Sequence, residues 1–241
     1  MKICILQPDY RPSAVDYQHY DPPRNLSALL PQDQVDHVFL NKLSTYRQLR
    51  ELAREGYDIF VNLCEGYLDW DVPSVDVIHA LDQLGLPYTG PSAHLYDPPK
   101  DLMKYVAYCA GIPVPAYVRI TCPQDVSRAL DQLTFPIFVK PAHAGDSLGI
   151  DEQSLVTDPP ALRHRVDALL DTYGVLLAEQ YIAGREFTVL VAAGPGEKEV
   201  RAFLPVEYRF PAGRSFKTYA LKTSELHPDC NVPCRDPDLA G

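Results

Sequence analysis

The sequence predicts a parallel α/β domain followed by an α+β region. Strand-like and helix-like segments alternate through the first 95 residues, which is the pattern of a parallel sheet with helical connections. Later in the chain, Gly-Pro-Gly at 194–196 separates two strand-like segments and indicates an antiparallel hairpin. With 46% hydrophobic residues among 241, the chain can bury a sizeable core.

The first part of the chain contains three short apolar segments of strand length and composition. These predicted strands are 2–6, 35–40 and 58–63. Residues 44–55 predict a helix, with Ser44 as its N-cap and Gly56 as its stop. Further helices are predicted over 72–84 and 99–110, each with a glycine just beyond its end.

Beyond Gly111 the order of segments changes, and strands begin to follow one another directly. The predicted strands are 117–121, 135–140, 175–180, 186–193 and 200–209. Helices are predicted over 123–133 and 158–172. Periodicity fades from about residue 210 onward, so the sequence predicts no regular element there.

Charge and cysteine usage exclude several classes of function. The formal net charge of −10 argues against nucleic acid or an anionic membrane as the main partner. No apolar run approaches the roughly 20 residues of a membrane span. Six scattered cysteines without a secretion signal are typical of reduced thiols, so we expect a cytoplasmic protein.

The stretch FPIFVKPAHAGDSLGI at 135–150 has the composition of a phosphate-binding loop. A strand ends at Lys140, Pro141 follows, and Gly145 and Gly149 then allow backbone N–H groups to approach an anion. The same residues fit an ordinary turn with a surface lysine equally well. The stretch matches neither the Walker A pattern nor G-x-G-x-x-G.

A second stretch, LLAEQYIAGREFTVLV at 176–191, places two carboxylates around a short linker. Glu179 lies at the end of one predicted strand and Glu186 at the start of the next. Carboxylates so placed can accept hydrogen bonds from ribose hydroxyls or an exocyclic amine. Glu186 could equally be a solvated hairpin residue.

Together with Lys100, these stretches resemble the D-alanine–D-alanine ligase group of ATP-grasp carboxylate–amine ligases. The resemblance rests on blocks that follow one another in the family's order. These are residues 84–115, 135–150, 176–191 and 215–223. It implies a Rossmann-like pre-ATP-grasp domain over 1–93, an ATP-grasp subdomain with the phosphate loop over 94–184, and an incomplete second subdomain over 185–241. A homodimer through the N-terminal domain is common in that family.

The implied reaction joins a small-molecule carboxylate to an amine through an acyl phosphate, with ATP and Mg²⁺. The implied catalytic residues are Lys140, Ser147 and Lys222. The lysines would contact phosphates, the loop would cover them, Glu179 would accept from the adenine amine, and Glu186 would hold the ribose. The full implied nucleotide-binding set is Lys100, Lys140, Gly145, Asp146, Ser147, Glu179, Gln180, Tyr181, Ile182, Glu186 and Lys222.

Several positions depart from the family's pattern. Asp146-Ser147 stands where the family has two serines, and Thr223 stands where it has a tyrosine. The N-terminal glutamate that holds the first D-alanine is also missing, so we expect a substrate other than D-alanine. The family's aspartate and Glu-x-Asn metal ligands have no counterpart here, and we expect the Mg²⁺ ligands to lie C-terminal to this chain.

Two alternatives stay open. Without its metal ligands the chain could be a catalytically inactive ATP-binding module or fragment with a regulatory or assembly role. Separately, the spacing of His227, Cys230 and Cys234 fits part of a zinc site, although a structural site needs four ligands and a fourth is not evident.

Overall fold

The computed structural model describes residues 1–19, 21–145, 147–193, 200–223 and 230–236. The chain divides into two compact units, Met1–Pro98 and Pro99–Gly241. The sequence-based division of the chain near residues 93 and 184 stays a prediction. Among the described residues, no helix combines the length and the hydrophobicity that a bilayer crossing requires.

The N-terminal unit is built on a parallel three-stranded sheet. Its strands are β1 (Lys2–Pro8), β2 (Gln34–Leu40) and β3 (Ile59–Asn62), in the order β2-β1-β3. The parallel pairing of β1 with both neighbours confirms the predicted α/β class. Cys4, Ile5 and Leu6 are fully buried, because the central strand is covered on both faces.

Two helices connect and cover this sheet, α1 (Thr45–Leu52) and α2 (Val75–Leu84). Ser44 stands at the N-cap position of α1, as predicted, but its side chain makes no capping hydrogen bond, because the hydroxyl donates to the Gln48 side chain at 3.1 Å. A 3₁₀ turn precedes the helix instead, and the Asn41 side chain accepts from the backbone N–H of Leu43 at 3.1 Å.

A half-buried ion pair joins the start of α2 to the turn before α1. The ammonium of Lys42 lies 2.7 Å from Asp76 Oδ1, which also accepts from the Ser74 backbone N–H at 2.9 Å. Burial raises the pKa of Asp76, but the hydrogen bonds from Lys42 and Ser74 outweigh it and hold that pKa below its ordinary value. The carboxylate therefore stabilises the fold above its ordinary pKa, and this contribution is lost as the pH falls.

We expect Asp76→Asn to lower the free energy of unfolding at pH 7 by about 1–2 kcal/mol, because it removes a charged hydrogen bond. The deficit should shrink as the pH falls below about 4, where the wild-type carboxylate is itself protonated. Urea denaturation of both proteins at pH 7, 4, 3 and 2 measures this. A deficit that does not change with pH would show that the charge of Asp76 contributes nothing.

The C-terminal unit contains a four-stranded antiparallel sheet in the order β4-β7-β5-β6. The strands are β4 (Tyr117–Ile120), β5 (Ile137–Pro141), β6 (Leu155–Val156) and β7 (Leu176–Gln180). The accompanying helices are α3 (Lys100–Cys109), α4 (Asp125–Gln132) and α5 (Pro159–Tyr173). This antiparallel arrangement confirms the predicted α+β character of the second region, and only the short β6 was not predicted.

The last third of the chain is more broken than the sequence predicts. The predicted strands 186–193 and 200–209 are each divided in two, giving β8 (Glu186–Thr188), β9 (Val191–Ala193), β10 (Val200–Ala202) and β11 (Val206–Tyr208). β9 pairs antiparallel with β10, and β11 pairs with β8 and with β12 (Asn231–Pro233). The short helix α6 (Tyr219–Thr223) was also not predicted. The predicted turn at 194–196 lies outside the described residues.

Candidate functional site

The two faces of the four-stranded sheet differ in chemistry, because side chains alternate along each strand. One face packs on α4 and α5 and forms the apolar core of the unit. Its strand residues are Val118, Ile120, Ile137, Val139, Leu176 and Ala178. The residues between them therefore project from the opposite face, which we call the charged face: Tyr117, Arg119, Phe138, Lys140, Leu177 and Glu179.

The strand register aligns three side chains of the charged face in one row. Glu179 on β7 stands opposite Tyr117 on β4 and opposite Phe138 on β5. Lys140 lies two residues after Phe138 on the same strand, and hence on the same face. This register brings the strand-end lysine and the first hinge glutamate together, although 39 residues separate them in sequence.

Two lysines bracket the Glu179 carboxylate. Lys140 contacts Oε1, and the ammonium of Lys104 on α3 lies 2.8 Å from Oε2. The side chains are largely buried, with exposed fractions of 10% for Glu179, 12% for Lys104 and 20% for Lys140. Two ammonium groups against one carboxylate leave the cluster with a net positive charge, on a chain whose overall charge is negative. Such a local field favours an anionic ligand.

The N-terminal half of helix α3 lies against the charged face. The backbone N–H of Lys100 donates to the carbonyl of Ala142 at 3.0 Å, and its ammonium donates to the carbonyl of Ala144 at 2.6 Å. Lys100 and Lys104 are one helical turn apart, so they share a side of α3. The helix thus presents two lysines beside the start of the loop that follows Lys140.

The loop after Lys140 is held by buried contacts at its far end. Ser147 and Gly149 both adopt positive φ, at 58° and 70°. Arg165 of α5 is 3% exposed and donates to the carbonyl of Gly149 at 2.9 Å, to Ser154 and to Asp151. The predicted residue Asp146 lies outside the described residues. Arg165 was not singled out from the sequence, where it is one basic residue among several on a helix.

The segment after β7 shows which backbone groups are already engaged. The N–H of Gln180 donates to Ala116 at 2.9 Å, and that of Tyr181 donates to Pro136 at 3.3 Å. The Tyr181 ring stacks on Phe138 with 6.3 Å between centroids, whereas Ile182 is 67% exposed. Glu186 opens β8, is exposed and stands opposite Tyr208.

The predicted lysine segment reaches the loop through its backbone. The N–H of Tyr219 donates to the carbonyl of Ile150 at 3.0 Å, so α6 starts beside the end of the loop. Lys222 on α6 is half-buried. Burial, and to a smaller extent the charge of Lys222, lower the pKa of Lys217, which was not singled out from the sequence. Both segments line a cavity of about 490 Å³, through residues 148–152 on one side and Arg214 and 218–220 on the other.

The described residues do not offer a metal centre. Nowhere in the described part of the chain do three His, Cys, Asp or Glu side chains come close enough to hold an ion. Cys230 and Cys234 are buried on either side of β12, and His227 lies outside the described residues. The residues that the structure describes therefore do not fit a resident Mg²⁺.

Comparison with known families gives a match over more than half of the chain. Residues 106–235 match the family model described as the D-ala D-ala ligase C-terminus. The D-alanine–D-alanine ligase B of Chromobacterium violaceum is 32% identical over 196 residues, covering 79% of this chain and 62% of its own. The D-alanine–D-alanine ligase of Herminiimonas arsenicoxydans is 32% identical, covering 78% and 55%. The chain thus spans less than two thirds of the length of these relatives.

Solved structures share the fold at lower identity. D-alanyl-alanine synthetase A from Vibrio cholerae aligns with a TM-score of 0.64 at 18% identity, covering all of this chain and 77% of its own. VanG D-Ala:D-Ser ligase from Enterococcus faecalis gives 0.62 at 17% identity, covering 88% and 71%. The D-alanine–D-alanine ligase from Bacillus anthracis complexed with ATP gives 0.60 at 18%, covering 99% and 72%. These likenesses confirm the predicted ATP-grasp fold class.

Proposed function

Because this chain belongs to the D-alanine–D-alanine ligase family, we propose that its charged face binds ATP and that the protein joins a small-molecule carboxylate to an amine. The observation that carries the proposal is the placement of Lys140 and Glu179 side by side on one face of the sheet. The lysine begins the loop that would cover the phosphates, and the glutamate begins the segment that would hold the adenine.

We assign the individual roles from the resemblance to the family. Lys100, Lys140 and Lys222 would neutralise the phosphates, and the loop with Gly145, Asp146 and Ser147 would close over them. Glu179 would accept a hydrogen bond from the adenine amine, and Glu186 would accept from the ribose. Since the N–H groups of Gln180 and Tyr181 are engaged, we assign the hinge donor to the N–H of Ile182 and the hinge acceptor to the carbonyl of Gln180.

The reaction we propose has two steps. The γ-phosphoryl group passes from ATP to a carboxylate oxygen, which releases ADP and leaves an acyl phosphate. The amine nitrogen then attacks the acyl carbon, and phosphate leaves as the amide forms. The lysines contribute by holding charge in place, since such transfers depend mainly on positioning and electrostatic stabilisation. Mg²⁺ would accompany the triphosphate, with no ligand assigned among the described residues.

ATP binding tests the proposal directly. We expect Lys140→Ala to weaken ATP binding at least tenfold, which corresponds to about 1.4 kcal/mol. Calorimetric titration of the folded chain, with and without Mg²⁺, measures this. Lys42→Ala is the matched control, because Lys42 has a similar exposed fraction (18% against 20%) and its own carboxylate partner in the N-terminal unit. Absence of ATP binding by the wild-type chain, or equal losses in both variants, would contradict the proposal.

A second proposal concerns the identity of the acid that the protein uses. We infer an acid other than D-alanine from the departures at Asp146 and Thr223, although the curated relatives are named for D-alanine. Measuring ADP release with single amino acids and in pairs would identify the acid and the amine. ATP binding without ADP release under any pairing would favour the alternative, a nucleotide-binding module without turnover.

A further inference from the structure

Lys104 is a buried cation that the proposed roles leave unused. It lies in the middle of α3, is 12% exposed at its side chain and contacts Glu179 Oε2 at 2.8 Å. Its ammonium also lies 5.4 Å from the centroid of the Tyr117 ring, within the range of a cation–π contact. Helix α3 buries none of its residues fully, so the contact of Lys104 with Glu179 is a principal attachment of this helix to the sheet.

The contact between Lys140 and Glu179 raises a difficulty for nucleotide binding. Lys140 cannot hold a phosphate oxygen and keep the full strength of its contact with Glu179 at the same time. If Lys140 were the sole cation at Glu179, its move toward a phosphate would leave a largely buried carboxylate without a counter-charge. Such an uncompensated buried charge is strongly unfavourable.

We propose that Lys104 is a positioning residue that keeps Glu179 neutralised and oriented when Lys140 turns to the phosphates. The inference rests on the proposed ATP site and adds a residue to it. Because the two lysines contact different oxygens of Glu179, one can leave while the other stays. Lys104 is held in place by the Tyr117 ring and by its position within a helix. Lys140 stands at a strand end, beside the place proposed for the phosphates.

In this arrangement the affinity for the phosphates depends on Lys104, whereas the affinity for the adenine base does not. In Lys104→Met the Glu179 carboxylate has Lys140 as its remaining partner, and the two form a neutral pair. Adenosine carries no phosphate and leaves that pair intact. ADP must break it, so the affinity gained from the two phosphates falls.

The test compares adenosine with ADP on the whole chain. We expect Lys104→Met to weaken ADP binding about tenfold, or about 1.4 kcal/mol, and to change adenosine binding less than threefold. Lys104→Arg retains the cation and should restore most of the ADP affinity. Calorimetry measures ADP binding, and ligand-observed NMR measures the weaker adenosine binding.

The matched control is Arg119→Gln, which breaks a different ion pair of α3, the one that joins this helix to β4. Arg119 lies 3.5 Å from Asp101, so its loss loosens the same helix without touching Glu179. Equal weakening of ADP and adenosine in Lys104→Met, or the same pattern in Arg119→Gln, would overturn the inference and show a packing role alone. A wild-type chain that binds ADP no better than adenosine would instead overturn the proposed function, and the inference with it.

Discussion

Glu179→Gln should lower the free energy of unfolding of the C-terminal unit by about 3–5 kcal/mol, because it leaves two largely buried ammonium groups without a counter-charge. The substitution keeps the shape of the side chain, so the loss reports charge and not volume. Without the negative charge of Glu179 between them, the ammonium groups of Lys104 and Lys140 would then repel each other. Denaturant unfolding followed by far-UV circular dichroism gives the difference.

Glu207→Gln provides the comparison for this effect. Glu207 has a similar exposed fraction, 12% against 10%, and also contacts two basic side chains, Arg185 and Arg209. Those arginines are 48% and 64% exposed, so water can solvate them when the carboxylate is removed. We expect a much smaller loss there, because ion pairs with exposed partners contribute little to stability. Equal losses at both positions would mean that the burial of the two lysines does not add to the loss in the free energy of unfolding.

Gly149→Ala should destabilise the unit by about 2–4 kcal/mol, through backbone strain and overpacking together. Gly149 has a φ of +70°, and a Cβ there would lie 2.8 Å from Pro141 Cγ and 2.9 Å from the Tyr173 ring. Pro141 is the residue after Lys140, so the clash falls at the base of the loop 142–150. Thermal unfolding and the rate of limited proteolysis within 142–150 both measure the effect.

Gly174→Ala isolates the backbone part of that cost. Gly174 has nearly the same φ, +68°, but a Cβ there meets nothing within 4 Å. We expect this variant to lose about 1–2 kcal/mol, as for one L residue held at a positive φ without a steric clash. If the two variants were equally destabilised, the space around Gly149 would not be limiting and the loop could be rebuilt with larger residues.

The order of strands and helices could be predicted because each element carries its own local signal. Alternating apolar runs and terminal glycines such as Gly85 and Gly111 mark the elements of both units. The division of the late strands could have been anticipated in part, since Pro205 has no N–H to donate and falls between β10 and β11. The break between β8 and β9 has no such marker, because it follows from pairing with different partner strands.

Site residues could be predicted only where the family's pattern or a strand end marks them. Lys140 and Glu179 stand at strand ends, which made them visible in the sequence. Lys104 has a weaker signal, its spacing of four from Lys100 on a predicted helix. That spacing shows a shared side of α3 but not which carboxylate lies beneath it. The partner depends on the alignment of β4 with β7, which the 55 residues between these strands do not encode locally.

The strand register limits where the chain can gain or lose residues. Tyr117, Glu179 and Phe138 stand directly opposite one another. Deleting one residue of β7 would turn Glu179 toward the apolar cluster of Val166 and would bring Ala178 to the opposite face. Insertions and deletions accumulated during divergence should therefore fall in connections such as 142–150, while β7 changes by substitution alone.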